Sequence, residues 1–132
     1  MSTQATGIFK IKSWDEKPYD ETAGMAKLTR AMVTESFHGD LQGDASTEYL
    51  MSYRPDGSAS FVFQRRLVGR IGGKEGSIVL QGSGVYEAGA AHGTYKVAAG
   101  SGSGELSGLR GEGGFFSKDE PSGSVTLDYE FE

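Results

Sequence analysis

At 132 residues, with a formal net charge of −5 and no cysteine, the chain is the size of one domain and excludes both a disulfide framework and any Cys-ligated zinc or iron–sulfur site. The acidic balance opposes a phosphate backbone, and the basic residues are scattered except for Arg65-Arg66, so no nucleic-acid partner is expected. The start, MSTQATGIFKIK, lacks the blocks of a signal peptide and no apolar run approaches a bilayer span, which predicts a cytoplasmic protein with no membrane partner.

No window shows an apolar stripe at helical spacing, whereas alternation of period two bounded by turn signals recurs along the chain. The predicted class is all-β, in one domain over residues 1–132. In chain order the first strand covers Gly7 to Trp14, followed by a loop over Asp15 to Met25 that contains Pro18 and Gly24. The second strand runs from Ala26 to His38, the third from Gly43 to Arg54, the fourth from Ser58 to Arg70 and the fifth from Lys74 to Tyr86. The sixth covers Ala90 to Val97, the seventh Gly111 to Ser117 and the eighth Ser124 to Phe131. Eight antiparallel strands are the number at which a closed barrel is just filled by side chains or holds one small ligand.

Turns set the register, and the register decides which side chains share a face. Two-residue turns at Asp56-Gly57, Gly72-Gly73 and Ala88-Gly89 collect Leu50, Phe61, Phe63, Leu67, Ile78, Leu80, Tyr95 and Val97 on one face, the expected interior. Phe61 and Phe63 then lie over Gly84 and Gly82, as a tightly curved sheet requires. Phe9, Ile11, Val125, Leu127, Tyr129 and Phe131 join them. Tyr49, Met51, Tyr53, Val62, Val68 and Val79 fall outside, an apolar band for the 15–25 loop or a second subunit to cover, and a homodimer is expected.

The same register pairs Glu48 with Arg65, and a turn at Gly39-Asp40 places Ala31 beside Glu48 with Glu35 on that face. Carboxylates and a guanidinium inside an apolar barrel are costly unless paired, so they are candidates for a proton donor or substrate anchor, and equally for a structural ion pair. Glu48 and Arg65 are the candidate catalytic residues, and Glu35, Phe61, Phe63, Leu80 and Tyr95 the candidate ligand contacts. The histidines, His38 and His92, lie far apart with no companions at a metal-binding interval, so neither a metal nor a cofactor is expected. The glycines of GSGSGELSGLRGEGG, residues 100–114, mimic a dinucleotide fingerprint but lack its strand-then-helix context, and read as a long connection with a short helical turn.

KSWDEKPYDE at 12–21, EYLMSYRPDGSASFV at 48–62 and GSGELSGLRGEGGF at 102–115 resemble a bacterial domain family of unknown function whose fold is allene oxide cyclase-like, of the calycin type. The resemblance covers nearly the whole chain. It implies an eight-stranded antiparallel barrel whose cavity holds an apolar small molecule and steers its cyclisation or coupling by shape. It also implies a glutamate at the position of Arg65 and a histidine at that of Gly82, from which this chain departs.

Two functions fit this reading. One is a barrel that binds an apolar small molecule and cyclises or isomerises it, since closure of a reactive polyene needs little beyond a dry cavity holding a productive conformer. The other is a solid, non-catalytic module that dimerises through its outer aromatic band. Cavity volume separates them.

Overall fold

The computed structural model describes residues 2–118 and 121–132. Among these the chain forms nine strands and no helix: β1 (Thr3–Asp20), β2 (Lys27–Gly39), β3 (Leu41–Tyr53), β4 (Ala59–Ile71), β5 (Lys74–Glu87), β6 (Ala90–Val97), β7 (Ser103–Gly104), β8 (Leu109–Lys118) and β9 (Ser122–Phe131). Every pairing is antiparallel, and the order β4-β3-β2-β1-β9-β8-β6-β5 is closed by β4 against β5. The result is an eight-stranded antiparallel barrel with short β7 attached to the start of β5. Closure removes the free edges of an open sheet except along the far half of β1, which β9 does not accompany. Among the described residues no helix is long and apolar enough to cross a membrane.

Two of the predicted turns set the registers they were expected to set. Gly72 and Gly73 both have positive φ, 58° and 84°, and so do Ala88 and Gly89, 52° and 77°, as a two-residue primed turn requires. Leu67 therefore pairs with Ile78, Arg65 with Leu80, and Gly82 with Tyr95.

The turn between β3 and β4 differs from expectation. Pro55 occupies the first position of a three-residue loop, Arg54 N donates to Ser58 O at 2.8 Å and Gly57 takes φ 90°. This is a type I turn followed by a left-handed glycine, which consumes one residue more than a two-residue turn. Tyr49 then faces Phe63, and Thr47, not Glu48, faces Arg65. At the other side of β3 the connection from β2 is Asp40 alone. Its carboxylate accepts from Thr6 N at 3.0 Å, its N–H donates to Thr6 O at 2.8 Å and its carbonyl accepts from Gly72 N at 3.0 Å. Ala31 consequently faces Tyr49. The two shifts agree, and every side chain of β3 lies on the face opposite to the expected one. Tyr49 and Met51 are buried and Tyr53 is half-buried, whereas Leu50 and Glu48 are exposed. The expected dimerising band loses these three members to the interior, while Val62 and Val68 remain outside.

A second difference concerns the segment expected to be a loop after Trp14. β1 continues to Asp20, interrupted by a bulge between Ile11 and Ser13. Phe9 and Ile11 point inward before it. Beyond it Trp14 pairs with inward-facing Val33 and Glu16 with inward-facing Ala31, so the extra residue re-aims even-numbered side chains into the barrel. β9 accompanies β1 only from Thr3 to Lys10. The far half of β1 is therefore held by β2 alone, and this unshared side tolerates Pro18.

The interior has three levels. At one end Leu41, Ile71, Leu109 and Leu127 pack solidly, sealed by Leu106 from the connection between β6 and β8. That connection turns at Gly104 and Gly108, with φ of 61° and 82°, and in place of a helix it forms tight turns, Leu106 N donating to Ser103 O and Ser107 N to Gly104 O. Polar side chains occupy the middle, and aromatic rings line the other end. The sheet can curve around these rings because Phe61 and Phe63 lie on glycines. A Cβ on Gly84 would sit 2.8 Å from the Phe61 ring and 2.4 Å from His92 O, and one on Gly82 would sit 2.9 Å from the Phe63 ring. Gly84→Ala should therefore destabilise the barrel by about 1–3 kcal/mol, read as a lowered urea midpoint with an unchanged m-value; a midpoint equal to wild type would contradict this packing.

Candidate functional site

The middle level is a buried ionic network. Arg65 and Glu35 are each inaccessible, and Arg65 Nη2 donates to Glu35 Oε2 at 2.9 Å. Thr47 bridges the pair: its hydroxyl accepts from Arg65 Nε at 2.9 Å and donates to Glu35 Oε1 at 2.6 Å. Arg65 Nη2 also donates to the Tyr49 hydroxyl at 3.0 Å. The guanidinium lies 5.1 Å from the ring centroid of Phe63 and 5.4 Å from that of Phe37, an attraction that accompanies Nη1, which has no hydrogen-bond partner among the described residues. Burial works against the charge on Arg65, but the facing Tyr49 and Glu35 oxygens outweigh it and hold the group protonated. Burial likewise pushes the Tyr49 phenol up, and that of Tyr95 up to about 12, so both are neutral hydroxyls. Tyr95 donates to the Thr126 carbonyl at 2.6 Å.

Tyr49 joins this network to the open end. Its hydroxyl points at Arg65 while its ring stacks on Trp14, with centroids 5.4 Å apart and planes 27° from parallel. Beyond it lies a cavity of about 440 Å³, walled by Phe9, Trp14, Tyr49, Tyr53, Phe61 and Phe115 among others. No charged side chain lines this cup among the described residues. One carboxylate stands behind the wall. Glu16 Oε1 accepts from Trp14 Nε1 at 3.0 Å, and Oε2 accepts from Tyr53 OH at 2.6 Å and from Thr29 Oγ1 at 2.6 Å. Burial opposes its ionisation, but the hydrogen bonds from Thr29, Tyr53 and Trp14, helped by Lys27, prevail and hold its carboxyl below the usual range. Burial and the Glu16 carboxylate together push the Tyr53 phenol up.

Of the residues singled out in the sequence, the structure brings Glu35 and Arg65 together and puts Phe61 on the cup wall. Phe63, Leu80 and Tyr95 are buried behind that wall, in the packed interior. Glu48 is displaced from the interior by the β3 register: it points outward and pairs with exposed Arg30 at 2.7 Å. His92 lies exposed on the outer face. Sequence reasoning missed Glu16 and Thr47. The available signal was Thr47, one position from Glu48 and inward once Pro55-Asp56-Gly57 is read as a three-residue loop.

Two outcomes follow from this geometry. Arg65→Met leaves Glu35 charged and unpaired in the core and should cost about 3–5 kcal/mol, most of which Glu35→Leu in the same chain should restore; urea denaturation of the single and double variants measures it. The folded-state pKa of Glu16 is depressed, so its contribution to stability is present above the ordinary carboxylate value of 4.5 and is lost as pH falls through the lower folded value. The stability gap between wild type and Glu16→Gln should hold steady near neutrality and close on acidification, as chemical denaturation across pH would show.

A family model for a protein of unknown function, DUF3224, matches residues 5–129. The chain is similar to a protein of unknown function from the DUF3224 family of Shewanella oneidensis MR-1, at 28% identity and a TM-score of 0.79, over 100% of this chain and 99% of that one. No curated protein matches. With a barrel shared end to end and nearly the whole length covered by one family model, the chain belongs to the DUF3224 family.

Proposed function

We propose that the barrel binds one apolar small molecule in the aromatic cup at its open end. The observation that carries this reading is the cup itself: about 440 Å³ of space in a barrel whose other end is packed solid. Sites that enclose small molecules have volumes of roughly 300–1,000 Å³, apolar walls and a few placed polar groups, and packed cores leave only voids near the size of a water. The walls are also preorganised. Tyr49 is fixed by Arg65, and Trp14 and Tyr53 by Glu16, so little side-chain freedom remains to be lost when a ligand enters.

An allene oxide cyclase-like barrel that cyclises or isomerises its substrate by shape would use this same cup, with its ring walls holding a folded conformer. Glu35 and Arg65 would then act through Tyr49 rather than on the substrate, because they lie off the wall.

The neutral fluorophore N-phenylnaphthylamine tests the binding reading. It should brighten on binding, at one molecule per chain, and Ala91→Phe, which extends a ring into the cup from its wall, should abolish the signal while far-UV circular dichroism and the melting temperature hold. Equal brightening in the variant would move the site elsewhere.

A further inference from the structure

We infer that the cup selects an apolar, ring-sized molecule whose polar end is a hydrogen-bond donor, a hydroxyl or an ammonium, and discriminates against the isosteric acid. This rests on the cup being a binding site and on where the described side chains of its wall send their protons. An indole has one N–H and a phenol one O–H. The Trp14 proton goes to Glu16 Oε1, and the Tyr53 proton goes to Glu16 Oε2. Ser117 gives its hydroxyl proton to the Ser122 carbonyl at 2.9 Å. The Tyr49 hydroxyl is turned away from the cup, towards Arg65. Tyr86 lies at the exposed rim of the cup.

Inside that rim the described side chains of the wall therefore present oxygen lone pairs in place of protons. Tyr53 keeps a lone pair on an oxygen whose proton is pulled towards a carboxylate, and such polarisation strengthens it as an acceptor. A ligand hydroxyl or ammonium can donate to it. A ligand carboxylate would bury its charge against acceptors and beside Glu16, an arrangement that costs both desolvation and repulsion. Lys27 is the cation that acts on Glu16, but it is exposed, does not line the cup, and has its Nζ 5.0 Å from the Tyr53 ring centroid. Water screens it more than it screens Glu16, which is half-buried. For an ammonium the rings add a second attraction, since cations are held against aromatic faces.

The cup's volume of about 440 Å³ lies within the range of small-molecule sites and takes a single ring with a short chain. Phenethyl alcohol, phenethylamine and phenylacetate share that frame and differ in the terminal group. Trp14 is the chain's single tryptophan and reports occupancy directly. Titrations followed by its emission should show the alcohol and the amine binding at least about tenfold more tightly than the acid. The amine exceeding the alcohol supports a felt charge on Glu16, and equal affinities support hydrogen-bond donation alone; both uphold the inference. In Glu16→Gln the amide can donate to Tyr53, whose proton is then free to turn to the cup, and the preference over phenylacetate should shrink to within about threefold. Tyr53→Phe removes the acceptor while keeping the ring and should do the same, guarding against a misfolded first variant. Phenylacetate binding wild type as tightly as the other two would overturn the inference and leave the binding reading standing. Failure of all three probes to bind would overturn both.

Discussion

The ion pair of Glu35 with Arg65 is the constraint around which the interior is arranged. Two charges removed from water inside a barrel hold only if geometry and further hydrogen bonds compensate the lost hydration, and Thr47, Tyr49 and the rings of Phe37 and Phe63 supply those contacts. The pair therefore dictates which residues surround it on β2, β3 and β4. It also divides the barrel into a sealed apolar end and an open aromatic one. Replacing the pair by well-packed apolar residues of similar volume would remove this polar demand, and with it the reason for Tyr49 to stand where it does.

Tyr49 transmits that constraint to the cup. Its hydroxyl is tied to the buried charge, and its ring forms the surface on which Trp14 stacks. Glu16 does for Trp14 and Tyr53 what Arg65 does for Tyr49. Two ionised groups, one deep and one behind the rim, thus hold apolar rings in place without touching the space those rings enclose. Among the described residues no charged side chain lines the cup, yet its shape is set by charges behind it. A ligand entering such a site meets fixed walls, which suits recognition by shape with one directional polar contact.

Much of the barrel was legible because primed turns leave little freedom. Gly72-Gly73 and Ala88-Gly89 can both take positive φ, so the registers of β4, β5 and β6 followed, and with them Phe61 and Phe63 over their glycines and Arg65 inside. β3 was misread because Pro-Asp-Gly serves either a two-residue or a three-residue loop from composition alone, and because Asp40 is fixed by distant Thr6 and Gly72. That single slip exchanged Glu48 for Thr47 and Leu50 for Tyr49. Glu35 was placed correctly since β2 alternates cleanly, but its partnership with Arg65 crosses β3 and needed that strand's true face. Glu16 and the inward turn of Trp14 depend on a bulge that leaves no local mark in SWDEKPYDE, where Pro18 and the following Gly24 suggest a loop. The site was thus half visible: its deep charges could be found by alternation, while its rim required tertiary contacts.

The proposed binding reading puts the small molecule in the cup. The most direct measurement is an amide-proton and indole-proton NMR titration of the isotope-labelled chain with phenethyl alcohol. Saturable shifts are expected at the Trp14 indole N–H and at the backbone of Tyr53, Phe61 and Ala91, with the sealed end around Leu41, Ile71 and Leu109 unmoved. Shifts confined to the outer face around Leu50 and Val62, or no shift at the Trp14 indole at saturating probe, would contradict it.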